Sequence, residues 1–340
     1  MDIFDIARLA GVSRKTVQRV LNGAPNVSAQ TRDKVRKIME EHHYEPNAAA
    51  RRLSARKTNT IGIFIVQDER NYKLYSDDLF YGAVIGSMIS RCAEHGYNAL
   101  VSIHDISNTD SLISLYKQKS IDAGMLVGWF DLQAVVDRIA GAGFHVGVFD
   151  QNTIRPGNDG IPVPILDNYR SAYEAAQYLL DMGHRDLGIV TGDMNNRSAA
   201  ERLHGFADAL RKRGIDLPES RIYYGKYTEE DGAAAAERWI AANELPQALF
   251  CSNDLTAYGV LKTLARHGVA VPRQVSVIGF DDLLVSQYMH PPLTTMRVPR
   301  VEMAVYITDA MIDRIENRET ARSSPQFTAE LVVRDSCCGR

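Results

Sequence analysis

Cysteine is scarce in this chain, with four in 340 residues, at positions 92, 251, 337 and 338. That number and scatter exclude a disulfide framework and fit a reducing cytoplasm. No run of about 18 apolar residues occurs, so no membrane-spanning helix is expected. The start, Met1-Asp2-Ile3-Phe4-Asp5, has no basic segment ahead of an apolar core, so no signal peptide is expected. Glycine motifs that cradle phosphates are also missing. The stretch Ile61-Gly-Ile-Phe-Ile-Val-Gln-Asp68 lacks Gly-x-Gly-x-x-Gly, Gly141-Ala-Gly143 follows a helical pattern, and no Gly-x-x-x-x-Gly-Lys occurs. A dehydrogenase or a nucleotide hydrolase is therefore disfavoured, and no cofactor is expected. His42-His43 has no second ligand pair at zinc spacing and reads as a solvated helix end. The tail Cys337-Cys338 reads as unstructured.

What is present is ordinary globular composition, 45% hydrophobic and 24% charged, with length for two or three domains. The charge is unevenly placed. Residues 1–60 hold twelve Lys/Arg against six Asp/Glu, which leaves −9 on the rest of a chain whose total is −3. A small basic head on a larger acidic body suits a polyanion-binding module joined to a part that need not touch the polyanion.

The head carries a pattern. Asp5-Ile-Ala-Arg-Leu-Ala10 predicts a short helix, Gly11-Val12 breaks it, and Ser13 caps a second helix from about Arg14 to Leu21. At 100° per residue, Val17, Val20 and Leu21 fall on one side, with Arg14, Lys15, Gln18 and Arg19 opposite. A third helix runs from a cap near Ser28 to about His42, with Val35, Ile38 and Met39 on one stripe. Two short helices about a glycine turn, the second presenting cations and an amide, match a helix-turn-helix; Arg and Lys can donate to guanine and Gln can pair with adenine. Next, Tyr44-Glu-Pro-Asn-Ala-Ala-Ala-Arg-Arg-Leu53 has room for about two helical turns. It reads either as an Ala-rich spacer or as a helix whose Ala49, Ala50 and Leu53 face a second copy and wedge a minor groove.

From Thr60 the periodicity changes to alternating apolar strands and amphipathic helices, about ten strands in all, which predicts parallel sheets in two lobes. The Gly/Pro-rich stretch from Arg155 to Pro162 is expected to cross between lobes, and the run from Pro291 onward is expected to cross back. Ligands in such sheets bind at the carboxyl ends of strands. Polar residues there are Asp150, Asn253, Asp254, Asp281 and Asp282, with Arg202 near the start of a following helix and Phe80, Tyr81 and Tyr258 as apolar walls. This set suits a polyhydroxylated ligand, although the same residues could cap helices or form ion pairs. Asp281 and Asp282 are not read as a catalytic pair, because neighbours on extended chain point to opposite faces. No catalytic residue is assigned.

The chain closely resembles the lactose-repressor/galactose-repressor (LacI/GalR) family of bacterial transcription regulators over nearly its whole length. The resemblance is carried by Asp5-Ile-Ala-Arg-Leu-Ala-Gly-Val-Ser13, Thr16-Val-Gln-Arg-Val-Leu-Asn-Gly23 and Tyr44 to Leu53. In the body it is carried by Gly183-His-Arg185, Glu201-Arg-Leu-His-Gly-Phe206, Asn253-Asp254, Val277-Ile-Gly-Phe-Asp-Asp282 and Pro292-Leu-Thr-Thr295. It implies an α/β periplasmic-binding-protein-like type I core of two parallel-sheet lobes behind an all-α helix-turn-helix domain. The implied division is a DNA-binding domain over 1–45, a hinge helix and linker over 46–59, and an effector and dimerisation core over 60–340. Lobe one takes about 60–159 plus 291–321, and lobe two about 160–290 plus 322–340.

The implied DNA-binding residues are Arg14, Lys15, Thr16, Gln18, Arg19 and Asn22, with Leu53 in the minor groove. The implied effector contacts are Phe80, Tyr81, Asp150, Arg202, Asn253 and Asp281. The implied partners are double-stranded operator DNA, a sugar, glycoside or sugar phosphate, and a second copy of the chain, as a homodimer or a dimer of dimers. A purine-type corepressor is the alternative, and a solute-binding protein a remoter one. The chain departs from the family pattern at Arg14-Lys15, at Gln18, at Ala304, and at Arg300, where some sugar-binding members place an aromatic.

Overall fold

The computed structural model describes residues 1–21, 24–44, 57–67, 79–128, 131–150, 160–318 and 325–340. The expected roles of Asn22 and Leu53, most of the hinge segment, and most of the crossing from 155 to 162 lie outside the described residues. Two compact units are present, Met1–Thr58 and Asn59–Arg340.

In the first unit, helix α1 spans Ile3–Ala10, α2 spans Arg14–Leu21 and α3 spans Ala29–Glu41. The Asp2 carboxylate accepts from the Phe4 and Asp5 amides, and Asp5 reaches back to the Asp2 amide at 3.0 Å, a capping box that starts α1. Gly11, at φ +64°, closes the helix in the left-handed region where a side chain is strained. Ser13 Oγ accepts from the Thr16 amide and Ser28 Oγ from the Thr31 amide, so α2 and α3 start on the predicted caps. Ile6, Ala10, Val17, Val20 and Val35 form a small shared core.

In the second unit, a four-stranded parallel sheet runs β2-β1-β3-β4. Its strands are β1 (Thr60–Gln67), β2 (Asn98–Asp105), β3 (Ala123–Gly128) and β4 (His145–Val148). Every residue of β1 is buried, as its unbroken run Thr-Ile-Gly-Ile-Phe-Ile-Val-Gln requires of a strand covered on both faces. Helices α4 (Leu79–Glu94), α5 (Asp110–Lys117) and α6 (Gln133–Gly141) intervene. The chain continues through β5 (Ile165–Leu166), α7 (Asn168–Asp181), β6 (Leu187–Val190), α8 (Arg197–Lys212), β7 (Ile222–Tyr223) and α9 (Glu229–Ala241). It then forms β8 (Ala248–Cys251), α10 (Asp254–Arg266), β9 (Ser276–Asp281), β10 (Thr294–Arg297), α11 (Arg300–Ile315), β11 (Gln326–Phe327) and β12 (Glu330–Val332). The larger sheet runs β12-β10-β9-β8-β6-β7, with β12 antiparallel, and β11 pairs with β5 in a two-stranded ribbon.

Two expectations need correction. The return crossing does not begin at 291: Thr294, Thr295 and Met296 are buried in β10, paired in parallel with β9 in the larger sheet. The chain leaves that sheet only after Arg297, and α11 then packs on α4, β3 and β4. Nor is the tail unstructured. The Val277 amide donates to the Ser336 carbonyl at 2.8 Å, Ser336 Oγ accepts from the Thr294 amide at 2.8 Å, and the Cys338 amide donates to Ser276 Oγ at 3.1 Å. Cys337 is buried by this docking, which pushes its thiol up to about 12.

Candidate ligand site and candidate nucleic-acid interface

On α2, the side predicted to carry cations does so: Arg14, Lys15 and Arg19 are exposed, Thr16 and Gln18 are half-buried, and Val17 and Val20 are buried. Arg14 Cζ lies 5.2 Å from the Phe4 ring centroid, and Thr16 Oγ1 is 2.9 Å from Ser13 Oγ. The helix thus offers a mixed cation and amide face of the kind that reads base edges.

In the second unit, Asp150 follows β4, and its Oδ1 accepts from the Leu166 amide of β5 at 3.1 Å. Burial pushes its carboxyl up to about 6, against the opposing pull of that hydrogen bond and of Arg202. Arg202, on the second turn of α8, is 7% exposed. Its Nε donates to Asn168 Oδ1 at 2.9 Å and its Nη1 to the Ser252 carbonyl. Its Cζ stands 3.7 Å from the Phe280 ring centroid and 5.9 Å from that of Tyr227. The guanidinium is thereby fixed at the ends of β8 and β9.

Asn253 caps α10: Oδ1 accepts from the Thr256 amide at 2.9 Å, and Nδ2 donates to the Tyr227 carbonyl at 2.9 Å. Half of its hydrogen-bonding capacity is thus structural. Asp281 ends β9 at φ +120°, a strained conformation for a residue with a side chain, and is 8% exposed. Asp282 turns elsewhere, to Arg297 Nε at 2.7 Å and Arg334 Nη2 at 2.6 Å. Burial works against its charge, but these two guanidiniums outweigh burial and hold the carboxyl below the usual range. The two neighbours leave extended geometry here, Asp282 at φ +54°, so alternation along a strand does not account for where the Asp282 carboxylate goes.

Phe80 and Tyr81 meet edge to face at 5.1 Å between centroids, and Tyr81 meets Phe149 at 6.5 Å. Arg300, at the start of α11, links this aromatic group to β9: Cζ is 5.8 Å from the Phe80 ring centroid, and Nη1 donates to the Asp281 carbonyl at 2.6 Å. The contacts therefore run from Asp150 beside Phe149, through Tyr81, Phe80 and Arg300, to Asp281, Phe280, Arg202 and the Ser252-Asn253 turn. Carboxylates, guanidiniums and aromatic rings so placed can bind a ligand with hydroxyls on its edges and an apolar face.

Tyr258 is not a wall of this site. It is buried, with its hydroxyl 2.7 Å from Ser286 Oγ. Ser286 Oγ, the Leu283 amide and Thr295 Oγ1 all donate to Asp254, a buried carboxylate that ties α10 to the segments after β9. Sequence reasoning missed Asn168, Ser252 and Tyr227. The last is half-buried, with its hydroxyl 3.0 Å from Ser198 Oγ and held up from its ordinary value by burial. Tyr227 lies just after a strand, the signal used for the other residues, but that strand is only two residues long.

Residues 2–47 match the family described as bacterial regulatory proteins, lacI family, and residues 176–337 match the periplasmic binding protein-like domain. The chain is 31% identical to the HTH-type transcriptional repressor PurR of Vibrio vulnificus, covering 98% of each chain. It is 32% identical to the HTH-type transcriptional regulator AscG of Escherichia coli, covering 98% of this chain and 97% of that protein. Among solved structures it is similar to a complex of the transcriptional regulator CelR with cellobiose, with a TM-score of 0.73, 26% identity and 99% of each chain covered.

Proposed function

Because the chain belongs to the LacI family of bacterial transcriptional regulators, we propose that this DNA-binding regulator is a repressor of carbohydrate-utilisation genes, released from its operator by a sugar-type effector. The observation that carries the effector reading is the convergence of Phe80, Tyr81, Asp150, Arg202, Asn253 and Asp281, spread over 200 residues of sequence, on one set of contacts. The cellobiose complex of a relative that matches along its full length supports a carbohydrate.

In this reading Arg14, Lys15, Thr16, Gln18, Arg19 and Asn22 occupy a major groove. Leu53 of two hinge segments wedges the centre of a pseudo-palindromic site. The protein works in the cytoplasm as a homodimer. Apolar side chains left in solvent suit a second copy: Leu284, Val285 and Tyr288 on one 3-10 turn, and Leu255 beside Asp254, which binds the Leu283 amide at 2.8 Å. Effector binds one arrangement of the lobes better than the other and, by that difference alone, shifts the hinge pair away from the DNA-bound form.

Selection of bound DNA from a random pool, followed by calorimetric titration of carbohydrates and purine bases, tests the proposal. A two-fold symmetric consensus released by a sugar is the expected result. Tighter operator binding in the presence of a purine would reverse the sign of regulation.

A further inference from the structure

We infer that Arg300 sets the effector class, and that the ligand is a polyol bearing an anionic group, a carboxylate or a phosphate, docked on this guanidinium. The inference rests on reading the Asp150 to Asp281 cluster as the effector site and adds to it the ligand's charge.

Arg300 is the first residue of α11, three positions after β10, whose pairing with β9 sets Arg297 opposite Asp281. Its side chain turns back over the end of β9. Nη1 donates to the Asp281 carbonyl at 2.6 Å and Nη2 to the Asp282 carbonyl at 3.4 Å, while Cζ lies 5.8 Å from the Phe80 ring centroid. The charge therefore stands between two of the expected effector contacts. The carbonyls use two of five N–H groups. The Nε atom is buried and has no hydrogen-bond partner among the described residues. A buried charged donor left unanswered is costly, and its presence in a folded protein calls for an acceptor that arrives from elsewhere.

No carboxylate answers this charge among the described residues. Asp282, whose carbonyl Arg300 holds, spends its carboxylate on Arg297 and Arg334. Arg202, on the other side of β9, is likewise held by an amide, a carbonyl and aromatic rings rather than by an acid. Ser252 Oγ, next to the carbonyl that Arg202 holds, is another buried polar atom without a partner among the described residues. Two guanidiniums thus flank the end of β9, where Asp281 supplies a carboxylate, with no direct ion pair to either among the described residues, and Asp150 carries its negative charge only at a cost imposed by burial. A neutral hydroxyl could accept from the Nε–H, but a carboxylate or phosphate offers paired oxygens to the fork of Nε–H and Nη–H, in bonds roughly twice as strong as neutral ones.

The test is calorimetric titration of the full-length protein with four probes: gluconate, glucose 6-phosphate, glucose and cellobiose. At least one anion should bind about tenfold or more tightly than both neutral sugars. Arg300→Met should remove that preference, and Arg300→Lys, which keeps the charge but not the fork, should retain part of it. Unchanged operator affinity and a single cooperative thermal unfolding transition in both variants confirm that each is folded, whatever shift the loss of the two carbonyl bonds brings. Gluconate alone identifies a carboxylate, and glucose 6-phosphate alone a phosphate. The inference is overturned by equal or tighter binding of a neutral sugar, by wild-type anion affinity in Arg300→Met, or by no binding of either anion at millimolar concentration. A neutral sugar whose binding needs Asp281 but not Arg300 leaves the carbohydrate reading standing. A purine base that binds when all four probes fail removes both.

Discussion

The guanidinium of Arg202 lies 3.7 Å from the centroid of the Phe280 ring, one residue before Asp281, and its remaining bonds reach Asn168 and the Ser252 carbonyl. One side chain on α8 thereby holds the ends of β8 and β9 in register with the start of α7. Arg202→Ala should weaken effector binding about tenfold or more while operator affinity in the absence of effector stays within about twofold. Arg202→Lys should do nearly as badly, because an ammonium cannot stack flat on Phe280 while donating to two fixed acceptors. Titration of effector against a preformed operator complex measures both.

Arg19 is exposed on the outward side of α2 with no described ion pair. Arg19→Ala should cost about 1–3 kcal/mol on the selected operator and relax preference at one base position, if the side chain reads a base edge. Equal loss on every sequence would make it a phosphate contact instead. Binding to a panel of single-base operator variants at fixed salt separates the two.

The raised carboxyl of Asp150 has a defined sign in stability. Its folded value of about 6 lies above the ordinary 3.8, so its contribution is full below pH 4 and is lost as pH rises through 6. Asp150→Asn removes this ionisation. The stability of Asp150→Asn relative to wild type should therefore rise between pH 4 and 6, by at most about 1.4 kcal/mol per pH unit, and level off above that window. Urea unfolding of both proteins across this range provides the measurement; a flat difference would place the carboxyl at its ordinary value.

Ser336 is fully buried, accepts from the Thr294 amide and donates to the Val277 carbonyl. Ser336→Ala takes this acceptor from the Thr294 amide and leaves the Val277 carbonyl with the weaker Cys337 thiol donor, and should destabilise the second unit by about 1–3 kcal/mol. Ser336→Cys, with a weaker donor and acceptor, should fall between. A loss below about 0.5 kcal/mol would show that water replaces the hydroxyl.

Helices α9 and α10 approach through glycine. A Cβ on Gly259 would stand 1.9 Å from the Glu229 carbonyl oxygen, and one on Gly232 the same distance from that of Thr256. The obstruction is backbone, so the helices would have to separate. Gly259→Ala should cost about 1–3 kcal/mol or more despite alanine's better helix propensity. A neutral or stabilising result in thermal unfolding would mean that the contact is looser than it stands here.

Local chemistry determined much of this protein. The Asp2 and Ser13 caps, the Gly11 turn and the apolar stripe of Val17 and Val20 specify the head, because each acts within four residues. The unbroken apolar run of β1 and the alternation after it specify covered parallel strands, and strand ends mark where the candidate effector residues lie. Tertiary structure alone decided the rest. It placed Asn168 and Ser252, 34 and 50 residues away, on Arg202, turned Asp282 to Arg297 and Arg334, and laid the tail along β9. It also kept β10 in the larger sheet and set Arg300 against Phe80. Periodicity reports which face of an element is buried; which distant partner meets that face depends on how the elements pack, and that leaves no trace in local spacing.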